Sequence, residues 1–156
     1  MKILSVHLGQ PVLLVVALLL LTTPGAVAMG PGERELLASE QFSGVQTVEI
    51  ETESFDVSIV GNRTNSTSIE ILGGRSVSTT VRRRGDRVII EAKERRALLS
   101  RSRVEGIIEV QTFEGVDVEV DCGSGDVDIR GLQGGNVEVR TGSGDVVARA
   151  IFGDTR

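Results

Sequence analysis

The chain has 156 residues, a formal net charge of −5 and only 3% aromatic residues. The acidic balance argues against nucleic acid as a partner, because phosphate binding requires a basic face. One histidine and one cysteine are present, with no tryptophan or tyrosine. Histidine is the usual general base near neutral pH, and zinc sites are built mainly from histidine and cysteine. We therefore expect neither an enzyme nor a cofactor.

Residues 1–28 are predicted to be a signal peptide. Lys2 supplies a positive charge, an apolar run follows at Val12–Leu21, and Ala26–Ala28 forms an A-x-A cleavage site. The apolar run is too short for a bilayer core, which requires about 20 residues. We expect cleavage after Ala28, which removes the only histidine, His7, and leaves an exported protein in the periplasm or at the cell surface, not an integral membrane protein.

The next segment, residues 29–41, begins Met-Gly-Pro-Gly and is predicted to be a linker. Residues 42–156 are predicted to form one all-β domain. Arg84–Asp86 is predicted to be a hairpin turn, and the charged stretch Lys93–Arg103 is compatible with a helical turn or a loop. In the part of this domain that precedes the C-terminal third, the predicted strands are Val45–Thr52, Phe55–Val60, Ser66–Leu72, Ser76–Arg83, Arg87–Ala92 and Ile107–Gln111.

The C-terminal third alternates valine or isoleucine with charged residues, which is typical of half-buried strands. Its segment Val118–Val127 aligns without a gap on Val137–Val146, a repeat of 19 residues. A repeat of this length predicts a short parallel β-solenoid in which one rung stacks on the next. The stacking pairs it predicts are Asp121 with Arg140, Glu119 with Glu138, Arg130 with Arg149, Asp126 with Asp145, and an inward Cys122 with Thr141.

Both copies contain the sequence Gly-Ser-Gly-Asp-Val, whose glycines are predicted to form structural turns that require positive φ. A calcium site is the alternative, because Asp126 and Asp145 follow the second glycine and would stack as a cation pair. The acids come one position early for a calcium β-roll, so we favour turn capping. The residues assigned to the turns are Gly123, Ser124, Gly125, Gly142, Ser143 and Gly144.

Three further motifs have plain structural interpretations. Arg84–Asp86 matches an integrin-binding tripeptide, but Gly-Asp is also an ordinary turn pair. Asn62 and Asn65 fit the glycan acceptor pattern and are better read as a polar surface loop. Cys122 could link two chains, but its position in the alternation favours a small buried core residue.

The stretches Phe42–Ile50, Phe55–Ile59 and Ile107–Val110, followed by the Ser-Gly-Asp-Val repeats, resemble the bacterial "putative adhesin" β-strand-repeat family of unknown function. The resemblance runs from about Phe42 to the end of the chain. It implies a right-handed solenoid on an exported or membrane-associated protein, with no catalytic residues to carry over. It also implies further rungs in relatives, so a shortened C-terminus is expected here.

The function predicted is a non-catalytic, adhesin-like module of the cell envelope that binds a protein or polysaccharide surface. Alternatives are a structural element that self-associates through its last rung and a weak calcium-binding repeat, while a hydrolase built from carboxylates is the weakest candidate. Binding is expected on flat, charged outer faces made of Asp117, Glu119, Glu138, Asp128, Arg130, Arg140 and Arg149.

Overall fold

The structure, a computed structural model, describes residues 34–74, 77–94 and 106–151. The predicted signal peptide lies outside these residues, as does most of the charged stretch after Lys93. The described residues form β1 (Glu35–Ser43), β2 (Thr47–Thr52), β3 (Phe55–Asn62), β4 (Ser66–Gly73), β5 (Val77–Arg84), β6 (Arg87–Glu94), β7 (Gly106–Phe113), β8 (Asp117–Cys122), β9 (Val127–Arg130), β10 (Val137–Thr141) and β11 (Val146–Arg149). Within these ranges no helix is long and apolar enough to span a membrane.

The strands form two mixed sheets, which confirms the all-β class. Sheet A has the order β1-β4-β7-β3-β9-β11, and sheet B has the order β10-β8-β2-β6-β5. In sheet A the four strands β7, β3, β9 and β11 are parallel, β4 pairs antiparallel with β7, and β1 pairs antiparallel with β4. In sheet B the four strands β10, β8, β2 and β6 are parallel, and β5 is antiparallel. Each sheet is therefore parallel at one end and antiparallel at the other.

Consecutive strands alternate between the sheets in β2–β3, β6–β7, β8–β9 and β10–β11, and we call each such pair a rung. The rungs do not stack in chain order. Rung β2–β3 has rung β6–β7 on one side and rung β8–β9 on the other. After β4 and β5, the chain returns to place rung β6–β7 directly beside rung β2–β3. The sequence-based strand positions are close to those observed, but this insertion was not predicted.

The first strand differs from the prediction. The linker predicted for residues 29–41 is wrong from Glu35 onward, because β1 begins there and pairs antiparallel with β4. Leu37, Ala38 and Phe42 pack against the core, although Leu36 is 55% exposed. This apolar contact, together with hydrogen bonding to an otherwise bare edge of β4, explains why a glycine- and proline-rich entry is followed at once by a strand.

The core lies between the two sheets and consists of the inward residues of the period-two pattern. Val48, Ile59 and Ile129 are fully buried, and Val120 is 3% exposed, as predicted for inward positions. Val139, in the last strand of sheet B, is only half-buried because no described strand lies beyond it, although it still packs against the core. The core is therefore fully buried in the inner rungs and partly exposed to solvent at β10.

Candidate interaction surfaces

The two copies of the repeat lie side by side in the predicted register. Val118 pairs with Val137 and Cys122 with Thr141 in sheet B, and Val127 pairs with Val146 in sheet A. Every other stacking pair predicted within the strands is also observed, with parallel partners 19 positions apart. The like-charged neighbours Glu119/Glu138 and Arg130/Arg149 are among them.

The glycines of the corner are required mainly by close backbone approach. A Cβ atom on Gly125 would lie 2.0 Å from the carbonyl oxygen of Phe55, and one on Gly123 would lie 2.4 Å from that of Glu53. Gly142 and Gly144 meet the rung β8–β9 in the same way, at 2.7 and 2.3 Å. Of these four glycines only Gly144 has a positive φ, 138°. The predicted turn is present, but its predicted cause is wrong for three of the four residues, because stacking leaves no room for a side chain.

Both serines of the corner contact the neighbouring rung. Ser124 Oγ donates to the carbonyl oxygen of Glu53 at 3.2 Å. The backbone N–H of Ser143 donates to the carbonyl oxygen of Gly123 at 3.0 Å. Each corner is therefore held to the corner beside it.

An aspartate ladder runs along the same edge. Asp56 Oδ1 accepts the backbone N–H of Asp126 at 3.0 Å, and Asp126 Oδ1 accepts that of Asp145 at 2.9 Å. The valine after each acceptor completes a second contact, since Val57 N–H donates to Asp126 O at 2.8 Å and Val127 N–H donates to Asp145 O at 2.9 Å. The Asp126 side chain therefore joins successive rungs instead of capping its own glycine turn, and a backbone N–H engages its Oδ1.

Among the residues that the structure describes, no group of three or more His, Cys, Asp or Glu side chains is arranged to hold a metal ion.

Cys122 points inward as predicted and is 1% exposed. Its Sγ accepts the backbone N–H of Gly125 at 3.1 Å and contacts the carbonyl oxygens of Gly125 and Phe55 at 3.4 and 3.5 Å. Thr52 occupies the equivalent position one rung away, where its Oγ1 accepts the N–H of Phe55 at 3.2 Å. Thr141 is the third equivalent, and its Oγ1 has no hydrogen-bond partner. Cys122 is therefore a corner-capping core residue.

The charged residues predicted to form the binding faces are divided between two opposite faces. Asp117, Glu119, Glu138 and Arg140 lie on the outer face of sheet B, whereas Asp128, Arg130 and Arg149 lie on that of sheet A. The sets cannot contact one partner surface together, because the core separates them.

Sheet B carries two adjacent rows of carboxylates on its outer face. The first, which we call the Glu49 row, contains Glu49, Glu119 and Glu138 at one height on neighbouring strands. The second, the Glu51 row, contains Glu91, Glu51 and Asp121, with Arg140 next in register. Parallel strands lie about 4.8 Å apart, and like charges directly opposite one another are unfavourable. The face therefore concentrates negative charge at regular spacing.

Four cations on the same face compensate part of this charge. Arg87 Nη1 lies 2.9 Å from Glu49 Oε2 and 3.5 Å from Glu119 Oε2, and Lys93 Nζ lies 3.0 Å from Glu51 Oε1. The hydrogen bonds to these glutamates raise the pKa of Arg87 and of Lys93. Arg82 pairs with Glu91, and Arg140 pairs with Glu138. Asp121 has no ion pair among the described residues, so the six carboxylates of the two rows are paired with only four cations. Asp117 and Arg84 also lie outward on this face.

A shallow groove of about 150 Å³ runs between the two rows and is open to solvent. Its walls include Glu49, Glu51, Glu119, Asp121 and Arg140. Glu119, Glu138 and Arg140 are among the residues predicted from the sequence for a binding face, whereas Glu49, Glu51, Glu91 and Asp121 are not. The alternation in Thr47–Thr52 placed the two glutamates outward, but nothing local placed β2 beside β8.

The outer face of sheet A has its own row of acids. Glu70, Glu109 and Asp128 lie at one height, with Ser58 between the last two, and we call them the Glu70 row. Asp128 is hydrogen-bonded by Arg130, which lowers the pKa of the Asp128 carboxyl below its ordinary value. The ladder residues Asp56, Asp126 and Asp145 line a broad open depression on the same face.

The remaining motifs occupy turns. The hairpin predicted between β5 and β6 is confirmed, with Gly85 at a φ of 64°. The backbone carbonyl of Asp86 accepts the N–H of Gln46 at 2.8 Å, which ties this turn to the start of β2. Asn62 Oδ1 accepts both the N–H and the Oγ1–H of Thr64, at 2.9 and 2.6 Å, in an exposed loop.

No family model matches the chain, and no curated protein matches it. Among solved structures, a "putative cell adhesion protein" from Clostridium sporogenes is 9% identical over 67% of this chain and 58% of its own, with a TM-score of 0.40. A "putative adhesin" from Bacteroides fragilis is 15% identical over 72% of this chain and 61% of its own, with a TM-score of 0.42. A "putative lipid binding protein" from Parabacteroides distasonis is 13% identical over 80% of this chain and 61% of its own, also at 0.42.

This chain spans about 60% of the length of these proteins. Its structural neighbours thus include bacterial proteins named as adhesins, at low sequence identity.

Proposed function

We propose that this protein is a non-catalytic, exported interaction module of the bacterial cell envelope, and that the outer face of sheet B binds a surface rich in positive charge. The observation that carries the proposal is the pair of adjacent carboxylate rows on one face, in which six carboxylates are paired with only four cations. A partner that brings amino or guanidinium groups to these rows relieves the repulsion between neighbouring acids and gains favourable Coulomb energy.

The form of the face suits a repetitive partner. The parallel stacks support interpretation of the fold as a short β-solenoid, with the right-handed coil that the family resemblance implies. Rungs about 4.8 Å apart hold the carboxylates at regular intervals on a hydrogen-bonded backbone, so little backbone freedom is lost when a partner binds. A cationic polymer or a basic protein surface has the matching chemistry.

The absence of catalysis is part of the proposal. The acids of both faces stand on open sheets, whereas general acid–base catalysis by carboxylates depends on a site that shifts their pKa values. The only histidine in the sequence is His7, within the predicted signal peptide.

The test is binding to immobilised polylysine, with uncharged dextran as the control polymer. Wild-type protein should bind polylysine but not dextran, and binding should weaken as the salt concentration rises, because salt screens exposed charges. Replacing all three acids of the Glu49 row by glutamine should reduce binding about tenfold or more.

The matched control removes the same number of acids from the opposite face. Replacing the Glu70 row by Gln, Gln and Asn should leave polylysine binding within about twofold of wild type, with melting temperatures reported for both variants. Equal losses in the two variants would show that only net charge matters and would overturn the assignment of the face.

A further inference from the structure

The outer edge formed by β10 and β11 carries backbone groups that no described strand pairs. Asn136 O accepts the N–H of Val118 at 2.8 Å, so Asn136 faces β8. Backbone groups alternate along a strand, and those of Val137, Val139 and Thr141 therefore face away from β8. In sheet A, Asp145 O accepts from Val127, so Val146 and Ala148 present their backbone groups outward in the same way.

The inward-facing apolar side chains are also more exposed at this edge than in the inner rungs. Val146 is 45% exposed, whereas its register partner Val127 is 1% exposed. Val139 is half-buried, whereas Val120 beside it is 3% exposed. A bare edge of this kind is a template for pairing with another chain. At the opposite end of sheet B, β5 ends in three consecutive arginines, which oppose edge-to-edge pairing there.

The sequence of β10 is complementary to itself when two copies run antiparallel. A pairing centred on Val139 places Glu138 opposite Arg140 of the partner subunit, and Arg140 opposite Glu138 of the partner subunit. A parallel, in-register pairing would instead place like charges opposite one another. In β11, the matching pairing centred on Ala148 places Val147 opposite Arg149 of the partner subunit, so no like charges meet.

We propose that two copies of this chain form an isologous dimer through the β10 and β11 edges, antiparallel about a two-fold axis normal to the sheets. This axis pairs β10 with β10 and β11 with β11, so each sheet continues into its own copy. The dimer covers Val139 and Val146, and it leaves the β5 and β1 edges at its two ends. It also joins the two outer faces of sheet B into one surface. The proposal does not depend on what that surface binds.

Charge reversal tests the pairing. Sedimentation equilibrium of the purified full chain should show a concentration-dependent dimer. The variants E138R and R140E each place like charges opposite one another and should raise the dissociation constant about tenfold or more. The double variant E138R/R140E restores both cross-strand pairs and should return the constant to within about threefold of wild type.

The matched control is R130E, which breaks the same type of intrastrand pair, Arg130 with Asp128, on the inner strand β9. It should leave the dissociation constant unchanged. A protein that is monomeric at all concentrations, or one whose association ignores both single reversals, would overturn the proposal.

Disulfide trapping gives a second measurement. Glu138 and Arg140 of the partner subunit would form a non-hydrogen-bonded antiparallel pair, with Cα atoms about 4.5 Å apart, which a disulfide can bridge. A mixture of E138C and R140C proteins should therefore cross-link under mild oxidation. Each variant alone should cross-link poorly, because identical positions lie diagonally, about 7–8 Å apart. Equal cross-linking in mixed and unmixed samples would contradict this register. Buried Cys122 is present in every sample and serves as the background.

Discussion

Asp126 Oδ1 accepts the backbone N–H of Asp145 at 2.9 Å, across a separation of 19 residues in the sequence. Asp126 is itself held by Asp56 in the same manner at 3.0 Å. One side chain thus joins two successive rungs, and the acid of the repeated Gly-Ser-Gly-Asp-Val sequence has a structural role that needs no ligand. The same contact is repeated over three rungs, so its contribution to stability can be measured by substitution of Asp126.

Replacing Asp126 by alanine should lower the free energy of unfolding by about 1 kcal/mol, because the N–H of Asp145 loses its acceptor. Asp126→Asn should cost less, since the amide oxygen can still accept. Urea denaturation provides the measurement, and Asp121→Ala is the control, because Asp121 is an exposed acid without an ion pair among the described residues. An equal effect of the alanine variants at both positions would contradict the ladder.

Calcium should not stabilise the protein, because the Asp126 carboxylate already accepts the backbone N–H of Asp145. A site with a dissociation constant of about 1 mM would contribute about 1.4 kcal/mol at 10 mM calcium and would raise the melting temperature by several degrees. We expect a shift of less than about 1 °C. A larger shift that disappears in the double alanine variant of Asp126 and Asp145 would establish the cation pair instead.

Gly125→Ala should be among the most damaging single changes, at about 3 kcal/mol or more, because its Cβ would lie 2.0 Å from the Phe55 carbonyl oxygen and would push two rungs apart. Gly85→Ala is the informative comparison, since Gly85 has a positive φ of 64° but open space around it. It should cost only about 1–2 kcal/mol. Similar losses at the two positions, measured by denaturant unfolding, would mean that backbone conformation outweighs close approach.

Cys122→Thr should be well tolerated, because Thr52 occupies the equivalent position and accepts a corner N–H at 3.2 Å. Cys122→Ala should lower the free energy of unfolding by about 1–3 kcal/mol, since it leaves the buried N–H of Gly125 without its acceptor and opens a small cavity. Thermal unfolding of both variants distinguishes capping from simple filling of space. If alanine proves no worse than threonine, the sulfur contact has no stabilising role.

The Asp128 carboxyl should titrate below the ordinary range for aspartate, because Arg130 hydrogen-bonds its charged form. The unfolded chain then binds more protons than the folded one between the two pKa values. This contribution to stability is therefore complete above the unfolded pKa and is lost as the pH falls through the folded pKa. Carboxyl NMR titration measures the shift, and Arg130→Gln should bring the Asp128 pKa back toward its ordinary value. An unchanged midpoint in that variant would exclude Arg130 as the cause.

Much of the local structure follows from the sequence. Alternation of valine with charged residues predicts the short strands after Val116, and the gapless repeat predicts that Val118 lies beside Val137 and Val127 beside Val146. This is possible because side-chain direction in a strand has a period of two, so a shift of one residue would expose every valine. The same alternation predicts an inward Cys122.

The glycine corner shows where local reasoning is insufficient. Its sequence predicts a turn, yet the reason for glycine at Gly123, Gly125 and Gly142 lies in the carbonyl oxygens of the adjacent rung. Likewise, Glu35–Gln41 has no strong alternation, so the sequence alone predicts a linker there. It becomes a strand because β4 offers it hydrogen bonds and the core accepts Leu37 and Phe42.

By itself, therefore, the sequence determined the strands after β1, the face that each of their side chains takes and the alignment of the two repeats. Only the tertiary structure decided that β2 lies between β6 and β8, and hence that Glu49 stands beside Glu119 and completes the acidic face. The physical reason is that β2, β6 and β8 share one alternation and could each pair with several neighbours. Their order is fixed by the packing of the whole core and by backbone hydrogen bonds between distant segments, not by any local preference.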